Sequence, residues 1–278
     1  MHSHHKGKRR LKTVLYGCLG LAVLLLAVAA GYCDMLRPFY TDAERSFRNP
    51  DRNSAFDEQG IAYDEGSGLF LFSGYMKDHE ASPVYLVDPK SGQTVKQLSL
   101  LMEDGSAFTG HSGGIAVSHS RVFIAGSTDD CIYVYDKGDI LQAEDGASVP
   151  CRGVFPLATA KEDGVRASFL ASSDDGILYV GEFHLDWIPQ LRCRRNHAFR
   201  PETGRTNALL VGFRMDDTLP LGLEQTPCVA YCLPNRVQGA AILNGKLFLS
   251  RSFGASPSRI ASYALSAREE TAVMTLLG

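Results

Sequence analysis

Eight side chains stand at matching places along this chain and have the chemistry to act on a ligand. Gln59, His111, Ser168 and Gln238 each sit at the entry to an apolar strand, and Tyr75, Glu182, His184 and Arg251 sit at or just beyond the end of one. An imidazole and a carboxylate can exchange a proton, amides and hydroxyls can orient a bound group, and a guanidinium can hold an anion. A second group lies in residues 184–206, where Arg192, Arg194, Arg195, His197, Arg200 and Arg205 accompany the single tryptophan, Trp187. Clustered arginines suit bidentate recognition of carboxylate or phosphate, or a rest on anionic headgroups. The ligand-binding set read from the sequence is therefore Gln59, His111, Ser168, Glu182, His184, Arg194, Arg195, Gln238 and Arg251. The competing reading is a polar layer whose members satisfy one another, beside a solvated basic loop.

Catalytic signals are weaker. Gly110-His111-Ser112-Gly113-Gly114 matches the form of a nucleophile elbow. That motif needs a strand before the serine and a helix after it, whereas a strand follows here, so Ser112 reads as a strand entry. His111 acting as general base with Glu182 orienting it is chemically open. Glu182 is the one natural metal ligand at these positions, and no Gly-rich phosphate loop, dinucleotide fingerprint or zinc-type spacing is present. No catalytic residue, metal or cofactor is assigned.

The elements that must position these groups come from a phrase that recurs four times. Its copies are Gln59-Gly60-Ile61-Ala62-Tyr63 with Leu69-Phe70-Leu71-Phe72, and Gly113-Gly114-Ile115-Ala116-Val117 with Val122-Phe123-Ile124-Ala125. They continue with Ala167-Ser168-Phe169-Leu170-Ala171 before Ile177-Leu178-Tyr179-Val180, and Gln238-Gly239-Ala240-Ala241-Ile242 before Lys246-Leu247-Phe248-Leu249. Gly60, Gly114, Ser168 and Gly239 stand 54, 54 and 71 residues apart. A period of this size in strand-like sequence predicts one supersecondary unit per repeat. Strands are expected at 60–64, 69–75, 84–88 and 94–101; at 113–117, 121–126, 131–136 and 149–157; at 167–172, 177–183, 207–215 and 227–233; and at 238–243, 246–252, 259–265 and 271–277. No convincing helical periodicity follows residue 33. The fold class expected is all-β, a β-propeller of four recognisable four-stranded blades, closing as four or standing as a shortened five-bladed ring with a raw edge. Strand-one entries and the connections from strand two to three then share one face, which would form a polar funnel.

The 278 residues are 45% hydrophobic and 21% charged, with a net charge of −3, so nothing draws the chain to nucleic acid. Lys6, Lys8, Arg9, Arg10 and Lys12 precede an uncharged run over 13–33. As a helix this run is about 31 Å long at ~1.5 Å per residue, enough to span a bilayer. The basic side predicts a cytoplasmic N-terminus and an extracytoplasmic remainder. The expected organisation is a cytoplasmic stub at 1–12, a signal anchor at 13–33, a tether at 34–56 and the propeller at 57–278. A cleaved signal ending near Ala27-Val28-Ala29 is the alternative, which would make the protein secreted.

Seven cysteines are present. Outside the membrane disulfides are permitted, and Cys131 with Cys151 is a plausible pair, while Cys228 and Cys232 are too far apart along one strand to bond. One of the latter could pair with Cys193.

The strand phrases Gly-Ile-Ala-Tyr-Asp, Gly-Gly-Ile-Ala-Val and Ile-Tyr-Val-Tyr-Asp resemble those of NHL-type and gluconolactonase-like propellers. His111-Ser112-Gly113-Gly114-Ile115-Ala116, Val180-Gly181-Glu182-Phe183 and Leu249-Ser250-Arg251-Ser252-Phe253-Gly254 resemble more closely an uncharacterised family of secreted or membrane-anchored bacterial propellers. That resemblance implies fold and location, and no activity. The function expected is a membrane-anchored extracytoplasmic binding module. Its partners would be the lipid bilayer, through the N-terminal helix, and an anionic small molecule, a polysaccharide or an envelope protein. The alternative is a hydrolase or lyase working in the same funnel.

Overall fold

The computed structural model describes residues 3–42, 46–51, 54–157, 164–193, 197–198, 206–254 and 258–265. They fall into two compact units, divided after Arg45. The first is α1 (Ser3–Asp42), whose apolar stretch Thr13–Met35 exposes Val14, Leu15, Leu19, Leu24 and Leu26 on all sides. A helix that is apolar all round and uncovered suits lipid better than water. The helix continues to Asp42, into residues expected as an irregular tether.

The second unit is built from repeated antiparallel sheets. Blade 1 is β1 (Phe56–Asp64), β2 (Leu69–Met76), β3 (Pro83–Asp88) and β4 (Gln93–Leu101). Blade 2 has β5 (Ser112–Val117), β6 (Arg121–Gly126) and β7 (Cys131–Asp136). The expected strand at 149–157 is two strands: β8 (Ser148–Pro150) joins blade 1 parallel to β4, and β9 (Gly153–Pro156) completes blade 2. The pairs Leu100↔Val149 and Ile132↔Phe155 show why, since alternate ends of this one stretch bury side chains in two different sheets. Blade 3 is β10 (Phe169–Ser172), β11 (Ile177–Gly181), β12 (Ala208–Arg214) and β13 (Val229–Leu233). Blade 4 is β14 (Val237–Leu243), β15 (Lys246–Arg251) and β16 (Arg259–Ala264); its expected outer strand at 271–277 lies outside the described residues. This is a four-blade propeller arrangement. The β14–β15 hairpin turns on Asn244 and Gly245 at φ +51° and +69°, the left-handed pair that matches strand twist in a two-residue turn.

Two further expectations are corrected. A short helix, α2 (Lys137–Gln142), follows β7, buries Ile140, and has its last carbonyls (Leu141 and Ala143) capped by Lys96 Nζ. It escapes a search for periodicity because six residues cannot display one. All seven cysteines are free thiols: Cys131 and Cys151 are both buried, and the Cys151 thiol donates to the Val134 and Gly153 carbonyls instead of joining Cys131.

Successive blades stack through three apolar layers. Leu71, Leu86 and Leu100 meet Ile115, Ile124 and Tyr135 between blades 1 and 2; Phe123 and Ala116 meet Leu170 and Val180 between 2 and 3; Phe169 and Tyr179 meet Val237, Leu247 and Leu249 between 3 and 4. The innermost strands approach to backbone contact. A Cβ on Gly60 would stand 2.8 Å from Gly114 Cα, and one on Gly114 would stand 2.7 Å from Leu170 N. One on Gly239 would meet nothing within 4 Å. At the strand ends away from the expected funnel, Lys137 pairs with Asp64 at 2.9 Å, and Asp136 takes both Arg121 and Arg152.

Two predictions follow from this packing. Gly114→Ala should cost about 1–3 kcal/mol of stability by overpacking against backbone that cannot yield. Gly239→Ala should leave the stability of the single chain unchanged or raise it by up to ~1 kcal/mol through the unfolded chain. Chemical denaturation of the two variants beside wild type checks the contrast. Burial opposes the charge of Asp64, but hydrogen bonds from Ser67 and Lys137 outweigh it and hold the carboxyl below its ordinary value. A carboxyl depressed on folding adds stability that is complete above its unfolded value of about 3.9 and is lost as pH falls through the folded value. Asp64→Asn should therefore flatten the acid limb of the melting curve between about pH 2 and 5, with no gain at neutral pH.

Candidate functional site

The close approach of the inner strands leaves chemistry to the strand ends, where the expected residues form two separate clusters. The first joins blades 1 and 2. His111 stacks on Tyr75 with ring centroids 4.6 Å apart, Tyr75 Oη donates to Asp57 at 3.2 Å, and Lys77 pairs with Asp57 at 3.0 Å. Gln59, on a bulge of β1, donates to the same aspartate. The Ser127 hydroxyl donates to the His111 carbonyl, so its 2.7 Å contact with the ring is a donation from Nδ1–H. Burial lowers the His111 pKa, against the opposing pull of its backbone hydrogen bond and Asp57.

The second cluster joins blades 3 and 4. Glu182, at the end of β11, is buried, and both its oxygens are occupied: Arg166 N–H donates to Oε1 at 3.2 Å and Leu209 N–H to Oε2 at 3.0 Å. His197 Nδ1 lies 2.9 Å from each oxygen. His111 and Glu182 thus have different partners, and the base–orienter pair weighed from the sequence does not form. His197 is fully buried, and its Nε2 has no hydrogen-bond partner among the described residues. Burial and the neighbouring Glu182 charge push the Cys193 thiol well up, away from reactivity.

Around this brace lies a rim of polar groups. His184 Nδ1 accepts Cys193 N–H at 2.9 Å, which leaves Nε2–H to donate to Asp186 at 3.2 Å. Asp186 also accepts from Asn235, whose carbonyl accepts from Arg251 Nε at 3.1 Å. Arg236 donates its backbone N–H to His184 O and takes φ +68°, which costs a non-glycine residue strain. That turn lays its guanidinium 4.9 Å from the centre of the half-exposed Trp187 ring, whose edge meets Phe253. Arg166 donates to Gln190 O and Arg192 to Asp186 O.

The structure therefore brings His184 and Arg251 into one network, beside the Glu182–His197 pair, and places His111 and Gln59 in another. Ser168 donates its N–H to Gly181 O within blade 3, and Gln238 donates to Ser252 O on the exposed edge of blade 4. Arg194 and Arg195 lie outside the described residues. Arg166, Asp186, Asn235 and Arg236 were not singled out from the sequence. The signal available was the repeat itself, since Asn235 and Arg236 precede Gly239 at the strand-one entry, on the face already expected.

No family model matches the chain, and no curated protein does. Solved β-propellers are similar in structure. The Dos1 propeller is 14% identical with a TM-score of 0.37, over 76% of this chain and 47% of that one. BamB from Moraxella catarrhalis is 9% identical with a TM-score of 0.35, over 75% and 50%. An exo-beta-1,3-galactanase from Phanerochaete chrysosporium, solved with beta-1,3-galactotriose, is 14% identical with a TM-score of 0.47, over 80% and 50%. The chain spans about half the length of each. At these identities the likeness is one of fold alone.

The Glu182–His197 pair should behave as a brace. His197→Ala leaves a buried carboxylate without its side-chain partner and should cost about 3–5 kcal/mol. A loss of that size lowers the melting temperature by roughly 6–20 °C in a domain of this size. Circular dichroism melts check it, and an unchanged melting temperature would remove His197 from the brace.

Proposed function

We propose that the protein is a membrane-anchored extracytoplasmic propeller that binds an anionic ligand at the rim between blades 3 and 4. One observation carries the reading: Arg166, Arg192, Arg236 and Arg251 converge on residues 184–192 and 235–236, and each is held by a backbone carbonyl or an indole ring. Among the described residues none of the four pairs with a carboxylate, whereas Arg121 and Arg152 share Asp136 at the far strand ends. A guanidinium fixed through one donor keeps the others for a carboxylate or phosphate, already oriented. Asp186, the nearest carboxylate in the network, is taken up by His184 and Asn235. Arg194 and Arg195, from the same insertion, are proposed to extend the basic rim. The exposed Trp187 supplies an apolar surface beside the charges, which suits a ligand with both a ring face and an anionic group.

Binding fits better than hydrolysis because Glu182, the natural metal ligand of the set, is buried with both oxygens engaged by Arg166 N–H, Leu209 N–H and His197. Lys6, Lys8, Arg9, Arg10 and Lys12, ahead of the apolar stretch of α1, support a cytoplasmic N-terminus and an extracytoplasmic rim.

Titration of the full chain in detergent with galacturonate oligomers, inorganic phosphate and a neutral galactose oligomer tests this reading. The anions should raise the melting temperature in proportion to occupancy, and the neutral oligomer should not. Arg251→Ala and Arg236→Ala should each weaken anion binding by roughly 10- to 100-fold, the worth of a hydrogen bond to a charged group. Equal response to neutral and anionic oligomers, or unaltered affinity in both variants, would defeat it.

A further inference from the structure

Among the described residues, blades 1 and 4 each leave one face open, and the two faces are the two halves of the contact that joins the blades within the chain. In blade 1, Gly60 and Ala62 face blade 2, and Gly60 receives the β5 backbone at Gly114 and Ile115. In blade 4, Ala240 and Ile242 pack toward blade 3, so Gly239 and Ala241 face away. The two strands share their local geometry. Each carries a bulge just before the glycine, and the glycine pairs with a serine of the second strand, Gly60 with Ser73 and Gly239 with Ser250. The position that receives a blade at Gly60 is therefore rebuilt at Gly239, where nothing among the described residues approaches within 4 Å. Leu243 at 56% and Ile260 at 78% exposure surround it.

The complementary half is on blade 1. Ile115 and Val117 of β5 are the residues that enter blade 1, and they are 2% and 9% exposed. Their counterparts in β1 are Ile61 and Tyr63, which are 53% and 50% exposed. The N-terminal segment covers only the rest of that face: Phe47 packs on Phe70 and Phe72, and Asp51 accepts from Tyr85 Oη at 2.7 Å. What stays open is the inner strand. No extended contact joins β14 to β1, although β1–β5, β5–β10 and β10–β14 all pack.

We propose that these faces join two copies of the chain head to tail, with Gly239, Ala241 and Leu243 of one copy receiving Ile61 and Tyr63 of the next by the contact that already links blades 1 and 2. A second copy is the partner that carries the matching face by construction, because blade 1 repeats blade 2. The interface is heterologous, so it forms a ring where the rotation closes and an extended array where it does not. Copies held in one membrane would meet at raised effective concentration.

The test uses the full chain in lipid nanodiscs, with photoreactive benzoylphenylalanine in place of Tyr63. Illumination should give a product of two chains whose crosslink maps to 239–243. Leu243→Glu should lower its yield at least tenfold, while Val154→Glu, an exposed apolar position on blade 2, should not change it. A labelled copy that also carries Leu243→Glu should crosslink again when mixed with an unlabelled Ile61→Glu copy, whose Gly239 face is intact. Unchanged melting of each variant shows that loss of product is not loss of fold. A crosslink within one chain would mean that blades 4 and 1 close on each other. A crosslink mapping elsewhere, or no two-chain product, would mean another partner or none. Each of these results overturns the proposal.

Discussion

The backbone contact between inner strands governs the rest of the molecule. At Gly60 and Gly114 a side chain as small as alanine would collide with the main chain of the next blade. The strands can come this close only where Cβ is missing, and the approach lets the second and third strands of adjacent blades interdigitate in continuous apolar layers. It also leaves little room along the axis for polar side chains. Ser73 and Ser112 lie in this layer, buried and without hydrogen-bond partners among the described residues. Hydroxyls are tolerated there, but ionisable groups are not, and they stand instead at the strand ends.

The two sets of strand ends then differ in kind. On one side, cations meet carboxylates: Lys137 with Asp64, and Arg121 and Arg152 with Asp136. These pairs close the hairpins and hold α2. On the other, Lys77 still meets Asp57 between blades 1 and 2, but between blades 3 and 4 the buried Glu182 carboxylate is spent on backbone amides and His197, and Arg166, Arg192 and Arg251 lean on carbonyls. Among the described residues, the arginines between blades 3 and 4 thus hold their places without a carboxylate partner.

The architecture was legible because the constraint is written into the repeat. Gly60-Ile61-Ala62 and Gly114-Ile115-Ala116 alternate small forward-facing residues with large ones facing back, and β-sheet geometry turns that alternation into blade stacking. The same alternation put His184, Glu182 and Arg251 on one face. It could not reveal His197, which is brought back to Glu182 by an insertion with no counterpart in the other repeats. Nor could it separate β8 from β9, because Ser148–Pro156 alternates like one strand while its two ends belong to different sheets. The thiols of Cys131 and Cys151 illustrate the same limit: adjacency in sequence order of strands says nothing of whether two side chains point at each other.

Residue type also fails to determine burial where the repeat ends. Ile61 and Ile115 occupy the same place in β1 and β5, yet one is half-exposed and the other is core. The difference is the preceding blade. Phe47 and Asp51 replace that blade only over the outer strands, where Phe72, Tyr85 and Val87 would otherwise lose their cover. A repeat array needs its terminal faces capped for the units to hold together, and here the cap protects the wide, aromatic part of blade 1 and stops short of the inner strand. Each blade interface nonetheless has its own layer of buried apolar side chains, so the sheets can hold without the open faces being filled. Folding is thereby separated from whatever meets Ile61 and Gly239, and the inner strands remain available for a contact that forms after the chain has folded.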